Sequence, residues 1–272
     1  MRSPFPRLAA VALVALVPLA ALGAAGALAA APKPKTEPAM MKFTSGAKLS
    51  VIAPTPNTVI TGNSVATKFA VTGFKLDSGL AGTKSVPHTG HLHIMLDRAL
   101  IDMYGTPDAV ISLQNVKPGK HTLSVVAASN DHVDDMKGMV AATFVYKPTK
   151  PLPEIVAAKS AGKASIAIVS PQPGATVSGS FEFVVNVKNF TLSHDLFGKP
   201  NVAGYGHWHA NVDSTTEGMM GMATMLGMSG TNSYKVDLKG IAPGKHRFFA
   251  LLEDNQHAPS IGAGAGVTVT VK

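Results

Sequence analysis

Cysteine is absent from this chain, so it can carry no disulfide framework, no thiolate metal site and no lipid-attachment cysteine. Any metal site must be built from nitrogen, oxygen or thioether ligands. Long apolar runs are scarce as well. After Leu8 to Ala31, which is almost wholly Ala, Leu and Val, no second such stretch follows. Acidic residues are outnumbered, with 16 Asp and Glu against 24 Lys and Arg and a formal net charge of +8. That excess does not point to nucleic acid, because the lysines are scattered rather than gathered in a stripe with aromatic neighbours; it is read as solubility. Also missing are a Gly-x-Ser-x-Gly elbow, a His-Glu-x-x-His pair and a phosphate loop. A non-enzymatic role is therefore expected.

Arg2 and Arg7 precede the apolar run, which is the layout of a secretory signal peptide. Small residues at Ala27 and Ala29 suit cleavage before Ala30, so residues 1–29 are expected to be a leader and the protein to be exported, to the periplasm or the extracellular space. The run is about long enough to span a bilayer, so an uncleaved N-terminal anchor is the alternative and the sole expected membrane contact.

The ten histidines fall into two groups of five, and the groups repeat each other. The first reads PHTGHLHIMLD, then PGKH, then SNDH, giving His88, His91, His93, His121 and His132. The second reads YGHWHANVD, PGKH and DNQH, giving His207, His209, His246 and His257, with His194 upstream. Other segments correspond too: KLSVIAPTPNTV with SIAIVSPQPGATV, and two runs that each end in Phe-x-Leu, at Phe74 and Leu76 and at Phe190 and Leu192. Duplication is the economical explanation. It divides the chain into a signal peptide at 1–29, a linker at 30–46, a first repeat at 47–147, a Pro/Ala/Lys linker at 148–163 and a second repeat at 164–272.

Within each repeat, short alternating or β-branched runs are separated by Pro, Gly and Asn, and no helical period stands out. The expected fold is all-β, two tandem immunoglobulin-like β-sandwiches. Strands are predicted near 48–53, 66–74, 91–97, 109–114, 121–128 and 139–146, and near 165–170, 181–190, 207–213, 233–238, 246–253 and 265–271.

Strand alternation sorts the histidines, since residues i and i+2 share a face. Leu92, Ile94 and Leu96 belong to the core in the first repeat, as do Trp208, Ala210 and Val212 in the second. His91 and His93, and His207 and His209, are then expected on the exposed face. His121 and His246 each follow a Pro-Gly-Lys turn and share a face with apolar residues, so they are expected to point inward and bond back to the preceding loop, like the tyrosine corner of sandwich domains.

An antiparallel return of the Pro-Gly-Lys-His strand brings His132 and His257 back towards the His-x-His pairs. Two triads result, His91, His93 and His132, and His207, His209 and His257, at one edge of each sandwich. Three neutral imidazoles suit zinc or copper(II), with protons competing near pH 6.5 for unperturbed rings. His88 is a candidate fourth ligand. Met219, Met222, Met225 and Met228 in EGMMGMATMLGM are soft thioethers that would select copper(I), or else an adaptable apolar contact surface. The competing explanation for the triads is a hydrogen-bonded loop network using Asp131, Asp134, Asp135, Glu253 and Asp254.

The combination of Gly-His-x-His, Pro-Gly-Lys-His and Asn or Asp followed by His resembles small β-sandwich domains of unknown function in secreted bacterial proteins, over Gly90 to His132 and Gly206 to His257. The resemblance implies an exported immunoglobulin-like domain and supplies no catalytic residues. The layout is distantly similar to periplasmic copper carriers of related fold, whose N-terminal histidine this chain lacks. Copper/zinc superoxide dismutases also place His-x-His on a sandwich, but they use a disulfide. Two roles follow as expectations: copper or zinc buffering, storage or transfer, with the metal ion as partner, or a cell-envelope adhesion or scaffolding protein with structural histidines and another envelope protein as partner.

Overall fold

Apolar and β-branched runs of five to eleven residues form the principal strands, and alternation along them builds two cores. A computed structural model of the protein describes residues 43–158, 162–259 and 261–272. The expected signal peptide and most of the 30–46 linker lie outside the described residues, as does the side chain of Met219.

The first sandwich is built from β1 (Lys48–Ala53), β2 (Thr58–Ile60), β3 (Ser64–Thr72), β4 (Lys75–Leu76), β5 (Thr89–Leu96), β6 (Ala99–Tyr104), β7 (Asp108–Ser112), β8 (Gly119–Ser129) and β9 (Val140–Tyr146). The second repeats it with β10 (Ser165–Ser170), β11 (Thr176–Val177), β12 (Ser180–Lys188), β13 (Thr191–Leu192), β14 (Tyr205–Val212), β15 (Met225–Ser229), β16 (Ser233–Asp237), β17 (Gly244–Glu253) and β18 (Gly264–Val271). One sheet of each sandwich has the order β1-β3-β7 or β10-β12-β16. The other runs β2-β9-β8-β5-β4 with β6 on β5, or β11-β18-β17-β14-β13 with β15 on β14. This is the immunoglobulin-like all-β fold, and no α-helix occurs among the described residues.

Leu92, Ile94, Leu123 and Phe144 fill the first core; Phe183, Trp208, Phe248 and Leu252 fill the second. Trp208 is fully buried, and its indole N–H donates to the Thr231 carbonyl at 2.7 Å. His121 and His246 lie under the rim of these cores. The His121 ring is 5.6 Å from Phe144, and its Nε2–H donates to the Lys117 carbonyl at 2.8 Å while Nδ1 meets Asp97 at 2.7 Å. His246 does the same with Ala242 and Asp213.

The sequence pattern missed β6 and β15, as well as the two- and three-residue strands β2, β4, β11 and β13. β6 and β15 are each laid against the His-x-His strand of their own sandwich, and both take part in the surface on which the two sandwiches meet. Alternation records that meeting. β3 alternates exposed and buried residues, as a strand with one wet face does, whereas β5 and β14 are buried almost throughout. Their outer faces are covered by the other sandwich. Gly82 of the first sandwich abuts the backbone of Met225, and Gly198 of the second abuts that of Leu100. Asp77 bonds Lys239, and His194 bonds Asp102 at 3.2 Å across the same interface.

Candidate metal centres

β5 presents His91 and His93 on one face two residues apart, and antiparallel β8 runs back beside it, with Ala128 opposite His91. Beyond the end of β8, His132 adopts a left-handed backbone, φ 61°, that turns its ring onto the same face. β14, β17 and His257, at φ 62°, repeat the device. The six histidines expected as ligands are thus brought together as two triads.

In the first triad, Nε2 of His91 lies 3.0 Å from Nε2 of His93 and 3.1 Å from Nδ1 of His132, and the third distance is 3.3 Å. Three nitrogens bound tetrahedrally to one ion at zinc–nitrogen distances would stand about 3.3 Å apart. In the second triad Nε2 of His207 and His209 are 2.9 Å apart, and Nδ1 of His257 is 3.5 Å from His209 Nε2.

The far side of each ring decides what the near side offers. His132 Nε2–H donates to the Met225 carbonyl at 2.7 Å, so Nδ1 carries a bare lone pair. His93 donates Nδ1–H to Asp134 at 2.8 Å, leaving Nε2 bare. Two unprotonated nitrogens therefore face each other 3.3 Å apart between buried rings, an arrangement that favours a cation between them. Nδ1 of His91 and of His207 are buried with no hydrogen-bond partner among the described residues.

Burial governs the electrostatics. It pushes His132 down to about 3, with the adjoining His93 adding to the effect. Burial likewise drives His91, His207 and His209 well below the usual histidine range, and lowers His257. These rings stay neutral, the form that ligates metal. The exposure expected for the His-x-His pairs is corrected accordingly: His91, His93, His207 and His209 are at most 5% exposed, because the second sandwich covers the first and the reverse. The triads sit at the sandwich interface rather than at a free edge. Competition from protons belongs at a lower pH than the unperturbed value suggests.

His88 stands apart from the first triad; it is exposed, with Nδ1 2.8 Å from the Ser45 carbonyl oxygen. Met225 and Met228 are buried against Phe197, with Met222 and Met103 packed on the same cluster. β15, which carries Met225 and Met228, has a counterpart in the first sandwich, β6; the segment without one is the stretch between Asp213 and Thr224. Of the acids named as network partners, Asp134 holds His93, whereas Asp135 accepts from Ser45 and Asp131 from Ser129. Phe197, whose ring lies 4.4 Å from His207, carried no signal in the sequence.

No family model matches the chain. No curated protein matches its sequence. Among solved structures it is similar to the fibronectin(III)-like modules of Clostridium thermocellum CbhA, at 13% identity and a TM-score of 0.24, over 82% of this chain and 92% of that one. It is also similar to the two tandem V-type regions of VCBP3, a v-region-containing chitin binding protein, at 7% identity and a TM-score of 0.21, over 83% and 99%. A third likeness is to a chain from the complex of Dpr2 Ig1-Ig2 with DIP-Theta Ig1-Ig3, at 12% identity and a TM-score of 0.20, over 83% and 99%. Likenesses this remote carry no argument about function, and the sandwich fold rests on the sheets described above.

Proposed function

We propose that the protein is an exported, non-enzymatic metal-binding protein that carries copper or zinc ions at its histidine triads, for buffering, storage or transfer. The observation that carries this is the convergence of His91 Nε2, His93 Nε2 and His132 Nδ1 to within 3.0–3.3 Å, two of them with lone pairs exposed by the bonds on their far sides. Neutral imidazoles without thiolate suit zinc and copper(II) alike. In such a site the chain's own residues do three things: the strands set the spacing, Asp134 orients His93, and burial keeps His91, His132, His207, His209 and His257 uncharged.

A second role, as an envelope scaffold with structural histidines, is favoured by one feature: His132 and His257 each tie one sandwich to the backbone of the other. Metal analysis of protein purified without a histidine tag, followed by separate zinc and copper(II) titrations, tests the two. The metal role expects one tight site per triad, with both lost in the His93→Ala/His209→Ala double variant. Binding by the wild type no tighter than by a histidine-free sandwich would sink it and leave the scaffold.

A further inference from the structure

His132 donates Nε2–H to the Met225 carbonyl at 2.7 Å, and His257 donates Nε2–H to the Leu100 carbonyl at 2.8 Å. Both bonds leave one sandwich and end in the other. The acceptors hold matching places. Leu100 in β6 is paired with Met95, two residues beyond His93; Met225 in β15 is paired with Asn211, two residues beyond His209. Each sandwich therefore sends out a ligand ring and returns a carbonyl to its neighbour's ring.

Glycine makes the close approach possible. A Cβ on Gly82 would lie 2.7 Å from the Met225 carbonyl carbon, and one on Gly198 would lie 2.4 Å from the Leu100 oxygen. Both glycines have positive φ, 73° and 66°. Their amides donate at 2.7 Å to the carbonyls of Asn130 and Asn255, each two residues before the third histidine of its triad. Glycine contact, acceptor carbonyl and ligand loop form one connected unit in each half. The carbonyl fixes the third ring's tautomer by accepting its Nε2–H, and outer partners of this kind govern the affinity of a metal site.

We infer that neither triad is complete within its own sandwich: each sandwich supplies the outer shell of the other's metal site, so that both affinities depend on the docking of the two. The inference rests on the metal-holding role proposed above. It also identifies Leu100 and Met225 as positioning residues that act through His132 and His257 by their backbone carbonyls.

The test reads each triad alone, the first in a His209→Ala background and the second in a His93→Ala background, by zinc competition titration. Gly82→Ala, which touches no ligand, is expected to weaken both triads by roughly 10–100-fold, the usual effect of losing an outer-shell partner. Gly179→Ala is the control. It has a comparable φ of 65° with nothing within 4 Å, so it carries the backbone strain without the wedge and should leave both affinities unchanged. Emission from Trp208, fully buried in the second core, reports whether the fold is intact. Unchanged affinity at either triad in folded Gly82→Ala overturns the inference. A parent that binds no zinc instead defeats the metal-holding role beneath it. Should Gly82→Ala not fold, the zinc-loaded unmutated chain decides by nitrogen-15 spectroscopy of its rings: His132 and His257 should both retain Nε2–H, and coordination through Nε2 in either would refute the cross-sandwich bond.

Discussion

Asp134 accepts the Nδ1–H of His93 at 2.8 Å, whereas two residues beyond the matching His257 stands Pro259, which has no carboxylate to offer His209. A carboxylate behind a ligating imidazole fixes its tautomer and raises its basicity. The first triad should therefore bind zinc more tightly than the second, by roughly tenfold or more. Asp134→Ala should remove most of that difference. Titration of the two single-triad variants checks it, and equal affinities in the presence of Asp134 would count against this role.

His121 and His246 share the first strand turn of β8 and β17, each held between a loop carbonyl and an aspartate. Replacing either with Ala removes both bonds and should destabilise the protein by about 1–3 kcal/mol. Metal content should not change, since neither ring reaches a triad. Urea unfolding and metal analysis of the same preparations separate the two effects; lost metal with unaltered stability would reverse the assignment.

Acid should act through the buried triads. Burial holds the folded pKa of His132 at about 3, below the 6.5 of a free ring, and lowers His91, His207, His209 and His257 in the same direction. Between those values the unfolded chain binds more protons than the folded one. Stability is then fully present above about pH 6.5 and is lost as pH falls towards the folded pKa values. Thermal unfolding of the ion-free Glu253→Gln variant, which lacks the opposing titration of that carboxyl, should show a falling midpoint from pH 8 to pH 4, and a flat profile would contradict the neutral buried rings.

Glu253 has the opposite sense. Burial, with the neighbouring Asp254 charge adding to it, raises its carboxyl from 4.5 to about 8. Its contribution is fully present below about pH 4.5 and is lost as pH rises through about 8, because the folded state resists ionisation. Glu253→Gln should unfold at a higher temperature than wild type at pH 9, and the advantage should vanish at pH 4. A constant difference across that range would show that charge is not the cause.

Met225 is fully buried against Phe197, which suits packing. Met225→Leu conserves volume and should cost less than about 1.5 kcal/mol, while Met225→Ala should cost about 2–5 kcal/mol. Copper(I) uptake should be the same in Met225→Leu as in wild type. A loss of copper(I) in that variant would make the thioether a ligand.

The duplication, the principal strands, the inward Trp208 and the shared face of each His-x-His pair were all legible in the sequence, because each follows from local alternation or from matching one repeat to the other. The convergence of His132 with His91 and His93 also followed, from an antiparallel return. What lies over those faces did not. A period of two says which side chains stand together and is silent on what covers them. The bonds that bury the triads join His132 to Met225 and His257 to Leu100, residues 93 and 157 positions apart. β6 and β15, the strands that carry the acceptors, lack the alternation of a strand with one wet face: β15 is buried throughout and β6 is half-buried along almost its whole length. Sequence alone therefore determined which imidazoles gather, and the docking of the two sandwiches decided that they gather in a buried interface, with the third ring of each triad held by the other sandwich.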